Sequence, residues 1–178
     1  MDASQAIQRL APRPFQDVIH RIYDPDHGFL ETIGSYLSGG RWNRKEKYGA
    51  LYTSLSKETA ILEILRAAEK RNRKPSELGR RDYVAIRARL SRVLDLARPE
   101  FYRYLETSPA AFLSDDSLCL VVADGARQLG CEALLVPSAT GSGSNLVVYL
   151  DLLAPGWELE EIRREEDLLL TEPGRKDQ

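Results

Sequence analysis

The stretch Gly39–Glu63, GGRWNRKEKYGALYTSLSKETAILE, decides how this chain is read. It sets an arginine behind a glycine pair, a tyrosine on a short apolar run, and a glutamate on the segment that follows. Glycine lets the backbone bend and approach a ligand closely, and arginine offers a planar fork of donors suited to phosphate. A carboxylate nearby is the kind of group that steadies developing positive charge. Together these residues read as a site for phosphate and sugar. ALYT (50–53) reads as a buried strand, and Ser56 caps a helix running to about Arg71 with Glu58 in its first turn. Ala60, Ile61, Ile64, Leu65 and Ala68 share one face of that helix, and Glu63 lies at its margin, where a carboxylate looks into a cleft.

Outward from that stretch, residues 1–17 read as a helical lead-in broken by Pro12 and Pro14, and VIHRIY (18–23) as a first strand. DPDHGFLETIGSYLSGG carries the glycines and aspartates of a loop. After a basic connection, DYVAIRARLSRVLDL (82–96) alternates as a long strand or hairpin does. Residues 99–114 form short helices around Pro99 and Pro109, and 117–132 a helix ended by Gly130. ALLVPSA (133–139) and NLVVYLDLL (145–153) read as strands joined by a glycine and serine turn, WELEEIRREEDLLL (157–170) fits strand or helix, and 171–178 reads as a disordered tail. The expected architecture is mixed α/β around a strand-rich core, with one domain over 18–170.

The chain has 178 residues, enough to bury roughly 70% of its unfolded surface in one domain. Its 25 basic and 27 acidic residues, with a pI near 5.8, argue against general nucleic-acid binding, which depends on clustered Lys and Arg. Two cysteines, Cys119 and Cys131, are no disulfide framework, and a reducing cytoplasm fits them. No leader and no apolar run of about 20 residues points to export or a membrane. With only His20 and His27 and no metal-ligand spacing, a zinc site and a histidine-based serine hydrolase are excluded, and no metal is expected. No Walker loop or nucleophile elbow is present.

Each candidate residue also has a structural reading. Arg41 can also be read as a surface ion-pair residue, Tyr52 as core, and Glu63 as a partner of Arg66 or a distant base. Ser138 follows Pro137 where serines commonly turn the chain, and the GSGSN segment lacks a dinucleotide fingerprint.

In order, GGRWN, LYTS, ETAILEIL, LLVPSA and NLVVYL resemble the RES-domain toxins, a family named for its arginine, glutamate and serine. The resemblance spans roughly residues 18–153. It places the family's arginine on Arg41, its tyrosine on Tyr52, its glutamate on Glu63 and its serine on Ser138; Arg21 matches a second arginine more loosely. Two departures stand out. Arg44-Lys45-Glu46-Lys47-Tyr48 replaces a proline and glycine common after RWN, and the asparagine–proline ending of many relatives is missing. The pocket rim is expected to differ accordingly.

The resemblance implies a fold similar to the ADP-ribosyltransferase toxins: a split β-sheet with flanking helices gripping NAD as a consumed substrate, with no cofactor. It also implies a toxin paired with an Xre-like helix-turn-helix antitoxin, which would touch the DNA, and allows a homodimer within that complex. Residue chemistry agrees, because cleaving the nicotinamide–ribose bond builds positive charge at the anomeric carbon. Glu63 would stabilise that charge and Arg41, with Arg21, would hold the pyrophosphate. Tyr52 would pack on the nicotinamide or ribose, Ser138 would bond nicotinamide or orient Glu63, and Asn145 would line the site. Water or phosphate as acceptor is the first reading. A mono-ADP-ribosyltransferase acting on protein, and a binding module without turnover, are the alternatives.

Overall fold

The computed structural model describes residues 2–170, so the expected tail at 171–178 lies outside the described residues. In chain order the elements are α1 (Ala3–Gln8), β1 (Arg13–Tyr23), α2 (Ile33–Ser38), β2 (Leu51–Ser54), α3 (Lys57–Lys70), β3 (Asp82–Asp95), α4 (Pro99–Tyr104), α5 (Pro109–Ser114), α6 (Asp116–Gln128), β4 (Ala133–Pro137), β5 (Ser144–Val148) and β6 (Glu158–Glu165). The chain thus adopts the expected α/β architecture of a sheet with flanking helices.

Strand β3 organises the sheet. Along one edge it pairs antiparallel with β1, from Arg13 opposite Val93 to Tyr23 opposite Asp82. Along the other it meets β6 over its first half and β4, in parallel, over Val93–Asp95. The β4 strand continues antiparallel into β5, and β5 into β2. Two half-sheets result, β6–β3–β1 and β4–β5–β2. Strands β1 and β2 meet only where His20 faces Ser54, so the sheet is split there.

Several elements differ from the sequence expectation for local reasons. The first strand begins at Arg13, five positions before Val18, because β3 is long enough to pair with it. Pro14 is tolerated at the register shift between Arg13 and Phe15, where its missing N–H breaks no ladder bond. Residues 82–95 form one strand with no hairpin turn. The strand expected through 153 stops at Val148, and Leu150–Leu152 form a 3₁₀ turn. The ambiguous 157–170 segment is a strand from Glu158 to Glu165; Arg87 faces Glu160 and Arg89 faces Glu158, so opposite charges pair across the ladder. Helix α2 lies inside the expected 24–40 loop.

The helix ends follow the capping rules. Ser56 accepts from Thr59 N–H at the start of α3, and Asp115 accepts from Leu118 N–H at the start of α6. Gly125 sits inside α6 because a Cβ there would lie 2.3 Å from Ile7 Cδ1; this is where α1 presses onto α6. Side chains alternate between two cores. Leu134, Val136 and Val147 face the helical layer of Ile7, Phe101, Phe112, Val122 and Ala126. Leu146, Val148 and Leu51 face Ile19, Val84, Ile86 and Leu90 on the opposite side. One fully buried acid, Glu132, is satisfied by the N–H groups of Ser91, Arg92 and Ala154 at 2.7, 2.8 and 2.9 Å. No helix among the described residues is long and apolar enough to cross a membrane.

Candidate functional site

A cavity of about 870 Å³ opens at the split, between β1, β2, α2 and α3. Arg21, Arg41, Tyr52, Glu63 and Asn145 all line it. Ser138 enters the site through Glu63. Ile64, Ala67 and Arg71 extend the lining along α3 beyond the glutamate.

The capped helix α3 delivers Glu63, whose Oε1 accepts from Ser138 Oγ at 2.7 Å and Asn145 Nδ2 at 2.6 Å. No described residue donates to Oε2. One carboxylate oxygen is therefore clamped and the other is available to a ligand. Ser138 is buried just past the end of β4, and Asn145 on β5 faces Val136, two residues before it. The structural alternative paired Glu63 with Arg66 or a distant base; the carboxylate instead meets these two neutral donors, one of them the Ser138 expected to orient it.

Arg41 follows the Gly39–Gly40 pair and is held by its Nε, which donates to Asp116 Oδ1 at 2.9 Å. Its terminal nitrogens meet no described acceptor, which leaves the fork that a phosphate would need. Gly39 has φ +70°, a left-handed conformation that glycine adopts without strain. At Gly40 a Cβ would lie 2.4 Å from Tyr52 Oη, so the chain passes directly over the tyrosine hydroxyl.

Tyr52 has its hydroxyl fully engaged within the protein. Oη accepts from Trp42 N–H at 3.1 Å and donates to Asn43 Oδ1 at 2.9 Å. Asn43 in turn donates to the Ser35 and Tyr48 carbonyls, tying α2, the arginine turn and β2 together. Burial pushes the Tyr52 phenol well above its ordinary pKa range. What Tyr52 presents to the cavity is its ring.

Arg21 is also committed. Its terminal nitrogens donate to Phe29 O at 2.6 Å and Glu31 O at 2.9 Å, fixing the loop before α2. Burial lowers its pKa to about 10. It contributes positive charge to the cavity wall while serving as a brace. The segment expected to alter the rim does not line the cavity: Arg44 Nε and Tyr48 Oη bind the two oxygens of Asp124 at 2.5 and 2.7 Å, pinning it to α6.

Sequence reasoning missed His20, Asn43, Ser54, Asp116 and Thr140. His20 lines the cavity with Nδ1 2.8 Å from Tyr83 Oη, and burial lowers its pKa. Both cysteines are buried and unpaired, and no cluster of three or more metal-ligating side chains exists among the described residues.

An arginine, a glutamate and a serine converging on a cavity in a split α/β sheet match the pattern for which the RES family is named. The family model for the RES domain matches residues 11–171, and the chain belongs to that family. It is 26% identical over 156 residues to the NAD(+) phosphorylase MbcT of Mycobacterium bovis, covering 84% of each chain. The same figures hold for NAD(+) phosphorylase MbcT of Mycobacterium tuberculosis. The structure superposes on a chain of the M. tuberculosis MbcT-MbcA toxin-antitoxin complex with a TM-score of 0.77, at 25% identity, covering 92% of this chain and 91% of that one.

Proposed function

We propose that this protein is an NAD-consuming toxin that cleaves the nicotinamide–ribose bond, with phosphate as the favoured acceptor and water as the alternative. The observation that carries the reading is Glu63, with one oxygen clamped by Ser138 and Asn145 and the other free in a cavity shared with Arg41. That arrangement suits a reaction with an oxocarbenium-like transition state.

As the C–N bond breaks, its electron pair passes to the pyridinium nitrogen and neutral nicotinamide leaves. A phosphate oxygen then bonds to the anomeric carbon, giving ADP-ribose 1″-phosphate. Glu63 bonds the ribose hydroxyls and stabilises the positive charge. Arg41, oriented by Asp116, holds the pyrophosphate with its free terminal nitrogens, and Arg21 adds positive potential. The Tyr52 ring packs against the nicotinamide ribose. Phosphate is favoured over water because the similar mycobacterial proteins are named NAD(+) phosphorylases.

NAD in this scheme is a substrate and no cofactor is required. Loss of NAD arrests growth in the cytoplasm unless an antitoxin binds; by family resemblance that partner carries an Xre-like helix-turn-helix domain and alone touches DNA. A toxin homodimer within the complex belongs to the same proposal. The test is to incubate purified protein with NAD, with and without phosphate, and identify the small molecules and any modified lysate proteins by mass spectrometry. ADP-ribose 1″-phosphate is expected with phosphate present. Intact NAD under both conditions overturns the reading, and ADP-ribosylated protein without free product assigns transfer to a protein acceptor.

A further inference from the structure

We infer that Ser54 and Thr140 are positioning residues that drive two hydrogen-bond relays onto one oxygen of Glu63; this rests on the NAD-cleaving reading above. Neither residue needs to touch the substrate.

The two direct donors to Glu63 are chemically ambiguous. A serine hydroxyl turns freely and can donate in several directions, and a carboxamide can flip to present oxygen in place of nitrogen. A flipped Asn145 would set Oδ1 against the carboxylate, acceptor against acceptor. A rotated Ser138 would withdraw its only proton. Something must hold both donors in the productive state, and the structure supplies a hydroxyl behind each.

Behind Asn145 stands Ser54, whose Oγ donates to Asn145 Oδ1 at 2.8 Å. The register of β2 and β5 places Ser54 directly opposite Asn145, so the contact is set by the ladder and both side chains lie on one sheet face. Ser54 is 3% exposed, and although it borders the cavity its hydroxyl is spent on Asn145. With Oδ1 occupied by a donor, Nδ2 must point at Glu63.

Behind Ser138 stands Thr140. Its backbone N–H donates to Ser138 Oγ at 3.1 Å, and its Oγ1 lies 2.6 Å from the same atom. With the Ser138 proton on Glu63, the 2.6 Å contact needs the Thr140 proton, and it is shorter than the 3.3 Å alternative from Thr140 Oγ1 to Ser142 O, so the Thr140 hydroxyl is the donor to Ser138. The relays Ser54→Asn145→Glu63 and Thr140→Ser138→Glu63 thus converge on Oε1. They reach it from β2 and β5 on one route and from the turn after β4 on the other. Polarised chains of this kind strengthen the final bond, and they fix which carboxylate oxygen remains free for the ribose. This is preorganisation of the group that meets the transition state.

The test measures steady-state NAD consumption by the full chain, with unfolding followed by circular dichroism. Ser54→Ala and Thr140→Val should each lower kcat roughly 5–10-fold, the worth of one hydrogen bond, with KM for NAD within about twofold of wild type. Ser54→Thr, which keeps the hydroxyl, should recover most of the loss. The Ser54→Ala effect should disappear in an Asn145→Ala background, and the Thr140→Val effect in a Ser138→Ala background, because each relay acts only through its partner. Thr140 lies on a half-buried turn, so its arm of the experiment decides the matter even if Ser54→Ala folds poorly. Unchanged kcat in folded variants, full additivity in the double variants, or a change confined to KM overturns the inference while the NAD-cleaving reading stands. A wild type that consumes no NAD overturns that reading first, before any variant is compared.

Discussion

Arg41 Nε donates to Asp116 Oδ1 at 2.9 Å across 75 positions of sequence, so the first turn of α6 sets the orientation of the arginine behind the glycine pair. The contact uses the one nitrogen that a phosphate fork does not need.

Arg41→Lys should therefore raise KM for NAD by roughly 10-fold or more, the scale of a lost charged hydrogen bond, and change kcat little. A lysine delivers a point charge without the fork and cannot keep both the Asp116 contact and a two-point grip. Pyrophosphate carries the same charge before and after cleavage, so its contacts contribute mainly uniform binding. Initial-rate kinetics check this. An unaltered KM with abolished kcat in a folded variant would move Arg41 to the reacting centre.

Glu63→Gln should fold, bind NAD and turn over at least about 10²-fold more slowly, as removal of a preorganised electrostatic contact does. Glutamine also presents an amide where Ser138 and Asn145 both donate, and one of its two orientations sets donor against donor. Expressed without a partner, the wild type should arrest growth and this variant should not. Soluble accumulation of both proteins is measured alongside. Near-normal turnover by the glutamine variant, or harmless expression of active wild type, would sink the assignment.

Much of the site was legible because it is local. Gly40, Arg41, Tyr52 and Glu63 fall within one short stretch whose turn, strand and capped helix follow from sequence. Ser138 and Asn145 lie 75 and 82 positions from Glu63, and only the ordered family motifs reached them. Ser54, Thr140 and Asp116 gave no signal. A hydroxyl at a strand end or turn, and an acid in a first helical turn, are already explained by turn chemistry and the helix dipole. Arg21 was reached through a looser family match and given a share of the pyrophosphate, yet its terminal nitrogens are spent on two loop carbonyls. In the fold, β6 was ambiguous because ELEEIRRE spaces its charges for helical pairs as well as for cross-strand ones, and only the facing arginines of β3 decide. Helix α2 has six residues including a glycine, too few for a period to show.

Tyr52→Phe should destabilise the fold by about 1–3 kcal/mol, because it strips a partner from Trp42 N–H and from the buried Asn43 Oδ1. The ring stays, so kcat should fall far less than in Glu63→Gln. Urea unfolding and kinetics on the same preparations give both numbers. A variant of normal stability with a large kcat loss would mean that the hydroxyl meets the substrate, against the geometry seen here.

The protein should lose stability as pH rises above about 10. Burial is the first cause of raised phenol pKa values at Tyr48, Tyr52, Tyr102 and Tyr149. Tyr102 Oη is buried without a hydrogen-bond partner among the described residues, while Tyr149 Oη donates to Trp42 O at 3.0 Å. A group whose folded pKa exceeds its unfolded value stabilises fully below the unfolded value, and the contribution is lost as pH climbs from there through the folded value. For these phenols the loss begins near the unperturbed value of 10.0. Arg21 works in the opposite sense: its folded pKa of about 10 lies below the ordinary 12.5, so burying its charge costs less as pH rises across that interval. Burial also raises the phenols of Tyr23 and Tyr83 and the thiols of Cys119 and Cys131, which work in the same sense as the four phenols, so the net slope against the Arg21 guanidinium is downward. Denaturant midpoints measured from about pH 8 upward should fall once pH passes about 10, and Tyr149→Phe should flatten the decline whatever it does to stability at neutral pH. A midpoint that holds steady or rises over that range would show that the buried phenols do not govern alkaline unfolding.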